Sequence, residues 1–221
     1  MFDGADMNRY LTEFTGTFFL VFTIGCSVLV GTPMAPLAIG ASLMVMVYMG
    51  GHISGAHYNP AVSLGLVLRG SFAASEYGAY AAAQLLGAVV ASLAVWLVTG
   101  RTFVPAPAAG ASMVAALLVE ILYTTALALV VMNVATAPAT AGNSFYGLAI
   151  GFTVAAGAFA GGPISGGAFN PAVGLGPALI HAIIGRGSIT HVWLYIVGPC
   201  VGAAIAASIF KVQQAAAPKK A

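Results

Sequence analysis

Apolar stretches alternate with short polar connections along almost the whole chain, and most of these stretches are long enough to cross a membrane. Six of them run roughly over residues 10–30, 34–50, 77–98, 112–133, 145–160 and 190–210. About 17 to 25 helical residues span the hydrocarbon core of a bilayer. The pattern therefore predicts an all-α membrane protein with six transmembrane helices.

Two further apolar pieces, roughly residues 59–69 and 170–184, are too short to cross. At about 1.5 Å per residue, a helix of about ten residues reaches only half of the core. Each piece begins with the same tripeptide, Asn59-Pro60-Ala61 in the first and Asn170-Pro171-Ala172 in the second. Asn is a favoured helix N-cap and Pro fits the first helical position. Both pieces are therefore predicted to be re-entrant half-helices.

The two tripeptides belong to a longer repeated frame. Ile53-Ser54-Gly55 recurs as Ile164-Ser165-Gly166 at the same offset as the tripeptides. Three spans in each half make the second copy enter the membrane from the opposite side, so the repeats are predicted to be inverted. We expect one membrane domain over residues 1–221, with a first repeat over 8–98, a connecting loop over 99–111 and a second repeat over 112–211.

Composition and charge agree with a membrane location. The chain is 60% hydrophobic and 5% charged, with a mean hydropathy of +1.00, far from a soluble globular protein. The basic residues divide between the two faces of the six-span arrangement as Arg9, Arg69, Lys211, Lys219 and Lys220 against Arg101 and Arg186. This asymmetry predicts a multi-pass protein of the plasma or inner membrane with both termini cytoplasmic. A net charge of +2 without a basic stripe disfavours nucleic acid as a partner.

Inverted insertion brings the starts of the two half-helices together near the bilayer midplane. Each start presents the positive end of a helix dipole, which repels cations and protons. Asn59 and Asn170 can cap backbone with the side-chain oxygen while the amide group donates hydrogen bonds into a lumen. These residues predict a path for neutral solutes at the interface of the repeats.

Glu13 and Glu120 are the ionisable residues well inside predicted spans. They could relay protons or cations, or they could accept hydrogen bonds from the N–H groups of the re-entrant loops, which we favour. His52 and His57 flank the first loop, where they could form a pH-dependent gate or, as we favour, make structural hydrogen bonds. No nucleophile, base and orienting group recur together and no metal-ligand cluster appears, so we predict no enzyme, metal or cofactor.

Three runs of this sequence resemble the aquaporin, or major intrinsic protein, family. They are Glu13-Phe14-Thr15-Gly16-Thr17, the stretch from Gly51 to Val62, and Phe169-Asn170-Pro171-Ala172, and the resemblance covers nearly the whole chain. It implies a water channel of six tilted helices and two half-helices around a pore, usually in a homotetramer. It also implies pore roles for Asn59 and Asn170 and loop-bracing roles for Glu13 and Glu120. By the same resemblance, the pore-lining backbone carbonyls belong to Gly55, Ala56, His57, Gly166, Gly167 and Ala168.

The sequence departs from the family directly after the second tripeptide, where most aquaporins have Arg and this chain has Val173. Alignment with the family assigns the outer selectivity filter to Ile39, Ala158, Gly167 and Val173, and none of these side chains forms hydrogen bonds. We therefore expect a wide, apolar constriction that passes small neutral solutes besides water. Arg101 could fold over the mouth and replace the missing donor.

Three other function classes stay open at this point. The chain could facilitate mainly another neutral solute, such as ammonia, glycerol, urea or hydrogen peroxide. It could be an ion-coupled secondary transporter, because such proteins also use inverted repeats and broken helices. It could also be a membrane junction or scaffold protein without transport.

Overall fold

The structure is a computed structural model that describes residues 4–215, and all the regular structure in this range is helical. The eight α-helices are α1 (Gly4–Val30), α2 (Ala35–Ser54), α3 (Pro60–Arg69), α4 (Tyr77–Thr99), α5 (Met113–Thr136), α6 (Tyr146–Ser165), α7 (Pro171–Ile183) and α8 (Leu194–Ala215). Lys219 and Lys220, which contributed to the predicted orientation, lie outside the described residues.

Six of these helices, α1, α2, α4, α5, α6 and α8, are long and apolar enough to cross a membrane, and α3 and α7 are shorter apolar helices. The predicted all-α class is confirmed. The helix ends differ from the apolar stretches, since α1 begins at Gly4 and α2 and α6 continue to Ser54 and Ser165. Hydropathy marks the part of a helix that suits lipid, whereas backbone hydrogen bonding continues through polar residues such as Asp6 and Arg9.

Glycines end the two helices that lead into the re-entrant loops. Gly55 follows α2 with φ of 85°, and Gly166 follows α6 with φ of 91°. This left-handed conformation is costly for other residues and typical of the residue after a helix. The chain therefore turns back sharply at both positions and enters a loop of four residues before the next half-helix.

The helices pack in two similar groups that exchange their half-helices. Helix α1 packs against α2 and α4, and α5 packs in the same way against α6 and α8. The half-helix α3 then lies mainly against α8, and α7 lies mainly against α4. Each half of the chain thus inserts its half-helix into the other half. Helices α2 and α6 also pack against each other and join the two halves.

Small residues set the closest helix approaches in both groups. A Cβ atom on Gly87 of α4 would overlap the carbonyl oxygen of Phe14 in α1. A Cβ atom on Gly202 of α8 would lie 2.5 Å from the carbonyl oxygen of Ile121 in α5. Such contacts between backbones provide much of the packing energy of helices in lipid.

Candidate functional site

Both half-helices begin at the asparagine of their Asn-Pro-Ala tripeptide. The Asn59 Oδ1 atom accepts a hydrogen bond from Ala61 N at 2.8 Å, and the Asn170 Oδ1 atom accepts one from Ala172 N at 2.9 Å. Proline follows each asparagine, where its missing N–H group costs nothing. Side-chain capping therefore satisfies these N-termini locally.

The two asparagines also join the loops to each other. The Asn59 Nδ2 atom donates to the carbonyl oxygen of Phe169 at 2.9 Å, and Asn170 Nδ2 donates to the carbonyl oxygen of Tyr58 at 2.9 Å. The N-termini of α3 and α7 consequently face one another at the centre of the protein. An amide group has two N–H bonds, so each asparagine keeps one further donor for a molecule between the loops.

The backbone just before each asparagine is strained. Tyr58 and Phe169 have φ of 50° and 51°, in the left-handed region that is unusual for large side chains. Each such residue costs on the order of 1–3 kcal/mol and persists only where its surroundings fix it. The strain turns the two carbonyl groups toward the opposite asparagines, and something must hold both loops in this conformation.

Glu13 holds the first loop. Its carboxylate accepts hydrogen bonds from Ser54 Oγ at 2.7 Å, His57 N at 3.0 Å, Tyr58 N at 2.7 Å and Gln84 Nε2 at 2.8 Å. The side chain is fully buried. A buried carboxylate is tolerated where several donors replace its hydration, and these donors come directly from the loop.

Glu120 holds the second loop with the same geometry. It accepts hydrogen bonds from Ser165 Oγ at 2.8 Å, Ala168 N at 3.0 Å and Phe169 N at 2.7 Å. Neither Glu13 nor Glu120 lines either of the two cavities described below. A relay needs a carboxylate that an ion or proton can reach, so this placement favours the bracing interpretation.

A serine and a tyrosine complete each brace, and these roles were not predicted. Tyr80 donates from its hydroxyl to the carbonyl oxygen of Ser54 at 2.8 Å, and Tyr195 donates to that of Ser165 at 2.5 Å. The two serines belong to the repeated frame and could have been found from it. The two tyrosines lie at a different offset in the sequence, so only the structure relates them.

The first loop carries a polar cluster that the second loop lacks. The Nδ1 atom of His57 lies 3.0 Å from Ser63 Oγ, which also accepts from Gln84 Nε2 at 3.1 Å. The rings of Phe72 and Tyr80 pack against the imidazole, and His57 is only 8% exposed. These contacts favour the structural interpretation of His57, whereas His52 is exposed.

Hydrogen bonding leaves an unequal set of backbone groups in the loops. The N–H groups of Gly55, Ala56, His57 and Tyr58 and of their counterparts from Gly166 to Phe169 all donate within the protein. The carbonyl oxygens of Gly55, Ala56, His57, Gly166, Gly167 and Ala168 accept no hydrogen bond from any described residue. Both loops therefore offer unused acceptors.

A cavity of about 400 Å³, here the filter cavity, contains all four predicted filter residues. Ile39, Ala158, Gly167 and Val173 lie on its wall together with Asn59 and Asn170. Among the described residues that line it there is no Asp, Glu, Lys or Arg. A cavity with this lining offers no charge to bind an ion, while apolar walls and a few polar groups suit small neutral molecules.

Residues 103–106 of the connecting segment also line the filter cavity, which the sequence did not predict. The hypothesis that Arg101 covers the mouth is not supported. Its Nη1 atom donates instead to the carbonyl oxygen of Leu29, at the end of α1, at 3.0 Å. Arg101 is exposed and is absent from the wall of the filter cavity.

A second cavity, of about 580 Å³, lies next to the filter cavity. His57, Val131 and Ile150 line both cavities and thus lie between them. The second cavity contains Gly55 and the charged side chain of Arg9. Neither cavity is lined by the other residues of the tripeptides, Pro60, Ala61, Pro171 and Ala172. These four residues are buried at the starts of the half-helices.

Comparison with known proteins places this architecture. Residues 4–210 match the family model described as major intrinsic protein. The chain is 38% identical to aquaporin NIP1-1 of Zea mays over 208 residues, which are 89% of this chain and 71% of that protein. It is 35% identical to the probable aquaporin TIP2-2 of Oryza sativa subsp. japonica over 227 residues, covering 95% and 88% of the two chains.

The fold is also similar to a solved structure, the aquaglyceroporin from Plasmodium falciparum. The TM-score is 0.84 at 25% sequence identity, with 93% of this chain and 95% of the other covered. The family match, the relatives and the fold agree with one another. The chain belongs to the major intrinsic protein family of aquaporins, which are passive membrane channels for water and small neutral solutes and not enzymes.

Proposed function

We propose that this chain conducts water through the filter cavity and the second cavity, and that its wide apolar filter also passes small neutral solutes. The observation that carries the proposal is the uncharged filter cavity, which reaches both Asn59 and Asn170. Its wall provides unused carbonyl acceptors on one side and amide donors at the centre. A single file of water needs both kinds of partner along otherwise apolar walls.

Asn59 and Asn170 serve in this proposal as the central donors and as the barrier to protons. A water molecule between them accepts from the two free amide hydrogens and donates outward to carbonyl groups. Its hydrogens then cannot pass a proton along the file. The positive ends of α3 and α7 meet at the same place and raise the energy of any cation there. Pro60, Ala61, Pro171 and Ala172 fix these helix starts.

Ile39, Ala158, Gly167 and Val173 form the outer filter in this proposal. An arginine in place of Val173 would narrow the filter and add a positive charge. With valine, the side chains leave the constriction wide and uncharged, and solutes larger than water can enter. The same feature is compatible with ammonia, glycerol, urea or hydrogen peroxide as the main solute.

An ion-coupled transporter is the second candidate, and the glutamates argue against it. Glu13 and Glu120 use their carboxylates to hold the loops and lie away from both cavities. A coupling ion would have to displace several short hydrogen bonds to reach them. Passive conduction requires only that these side chains hold the loops rigidly.

Flux in proteoliposomes tests the proposal. We expect stopped-flow light scattering to show water flux well above that of empty vesicles, with urea uptake that rises linearly with urea concentration. An imposed proton gradient should leave both unchanged. Saturable uptake that follows the proton gradient would support the transporter, and the absence of any flux would exclude a conducting channel.

The assembly, orientation and repeat boundaries are part of the same proposal. We infer a homotetramer in a plasma or inner membrane with both termini cytoplasmic, built from repeats over residues 8–98 and 112–211. Family resemblance and the distribution of basic residues support this arrangement. Mass measurement of the protein in detergent tests the tetramer, and protease access to tags at either terminus of sealed vesicles tests the orientation.

A further inference from the structure

The segment that joins the two halves is fixed beside the filter at several points. Besides the bond from Arg101 to Leu29, the hydroxyl of Thr102 lies 2.8 Å from Nδ1 of His181 in α7. Farther along, Ala108 N donates to the carbonyl oxygen of Ile164 at 3.0 Å. Residues 103–106 between these anchors form part of the wall of the filter cavity. The segment is therefore a fixed component of the filter.

Donors are scarce in this part of the cavity. The side chains of Ile39, Ala158 and Val173 have none. The N–H groups of Gly167 and Ala168 are used by Ser165 and Glu120. A solute with an acceptor oxygen would thus lose its hydration at the filter without compensation, unless another part of the wall donates.

The backbone N–H of Ala106 is such a donor. Ala106 is exposed, lines the filter cavity and donates to no described residue. It adjoins the second re-entrant loop, because a Cβ atom on Gly166 would lie 2.7 Å from its nitrogen. Because Ala106 is exposed on the cavity wall, a molecule in the cavity can reach this N–H and accept its hydrogen bond.

Two prolines hold this N–H in place. Pro105 and Pro107 flank Ala106 and have no N–H groups of their own. A residue before proline is restricted to extended backbone, and the bond from Ala108 N to Ile164 fixes the chain just beyond. The donor is thereby preorganised beside Gly166, whose carbonyl oxygen accepts no hydrogen bond from a described residue.

We propose that the Ala106 backbone N–H is the hydrogen-bond donor of the filter and takes the part that an arginine side chain would otherwise play. The inference rests on the proposed channel function and names the solute class: small neutral molecules with both an acceptor oxygen and N–H or O–H donors, such as urea. Their acceptor binds Ala106 N–H, and their donors bind the carbonyl groups of Gly166 and Gly167.

Ala106→Pro tests this directly, since proline removes the N–H and suits the extended backbone. The measurement is the ratio of urea to water permeability in proteoliposomes. A net hydrogen bond lost at the constriction predicts a fall in this ratio of about three- to tenfold. Water is affected less, because a molecule in single file also accepts from its neighbours.

One variant serves as the control. Ala109→Pro adds a proline to the same segment at a position that lines neither cavity. Position 109 precedes Gly110, which has φ of 82°, in a turn closed by the bond from Ala111 N to Ala108 O; this is a position where proline is favoured. Ala109→Pro should keep the wild-type permeability ratio. If the Ala106→Pro protein does not fold, incorporating lactic acid in place of Ala106 replaces the N–H by an ester oxygen.

The outcomes separate the two proposals. Wild-type protein without water or urea flux would overturn the channel function itself. Wild-type flux with an unchanged permeability ratio in Ala106→Pro, or an equal fall in Ala109→Pro, would overturn the role of the Ala106 N–H alone. A fall confined to Ala106→Pro and the ester supports it.

Discussion

Asn59 and Asn170 each donate a hydrogen bond of 2.9 Å to the carbonyl group that precedes the other asparagine. This reciprocal pair joins the two re-entrant loops at the point where the half-helices meet. It also uses one amide hydrogen of each side chain and occupies the carbonyl oxygens of Tyr58 and Phe169. The central donors are therefore held by the loops that they connect.

Replacing either asparagine by aspartate should raise proton or cation leakage. Asn170→Asp places a carboxylate oxygen against the carbonyl of Tyr58 in place of a donor, and its negative charge offsets the positive helix ends. We expect faster decay of an imposed pH gradient, followed with a trapped dye, in Asn59→Asp and Asn170→Asp vesicles. Asn133→Asp is the control, because Asn133 lines neither cavity. Equal leakage in all three variants would contradict the barrier role.

Substitution of Glu13 or Glu120 should lower the stability of the protein, because both side chains brace the loops and do not couple transport to an ion. In Glu13→Gln one acceptor oxygen becomes an NH₂ group that faces donors from the loop, whichever way the amide turns. Each donor left unpaired costs about 1–3 kcal/mol, so thermal unfolding in detergent should occur at a clearly lower temperature. Glu120→Gln should behave alike.

Glu76→Gln provides the control for charge removal. Glu76 forms an ion pair with Arg9 at 3.2 Å near the protein surface, and such pairs contribute about 1 kcal/mol or less. Its unfolding temperature should stay close to that of the wild type. A Glu13→Gln protein of wild-type stability that had lost proton-driven uptake would reinstate the relay.

Helix packing gives a prediction with a matched control in the same helix. Gly87→Ala in α4 forces a methyl group into the backbone of α1 at Phe14, and overpacking of this kind costs about 1–3 kcal/mol. Gly78→Ala, also in α4, meets no atom within 4 Å, and alanine is the better helix former. The unfolding temperature should therefore be lower than that of the wild type for Gly87→Ala, and equal or higher for Gly78→Ala. The reverse order would show that the close contact with α1 is wrong.

The repeated frame predicted where the two half-helices begin, because capping of a helix start is a local interaction. Asn59 and Asn170 cap the helices that they begin, and the six long apolar stretches reflect the lipid around them. The predicted residues Ile39 and Val173 lie far apart in sequence, and they were placed together only by resemblance to the family. The structure puts both on the wall of one cavity.

The connecting segment shows what the sequence could not provide. Ala106 lies in a Pro-Ala-Pro run, which predicts only an extended loop. Its neighbour in the structure, Gly166, is distant in sequence, and the relevant group is a backbone N–H that every residue except proline has. The bracing roles of Tyr80 and Tyr195 were not predicted for a related reason, because the second repeat has more residues between its serine and its tyrosine than the first repeat. Contacts made by backbone atoms, or by side chains at different offsets in the two repeats, have no sequence motif that could predict them.

The most direct test of the account compares wild type, Val173→Arg and Val173→Leu for water and urea permeability in the same proteoliposome preparation. The central claim is that valine at this position keeps the filter wide and uncharged. We predict that Val173→Arg retains water flux and loses most urea flux, whereas Val173→Leu retains both. Urea flux that is equal in wild type and Val173→Arg would contradict the account, because the solute path would then lie elsewhere.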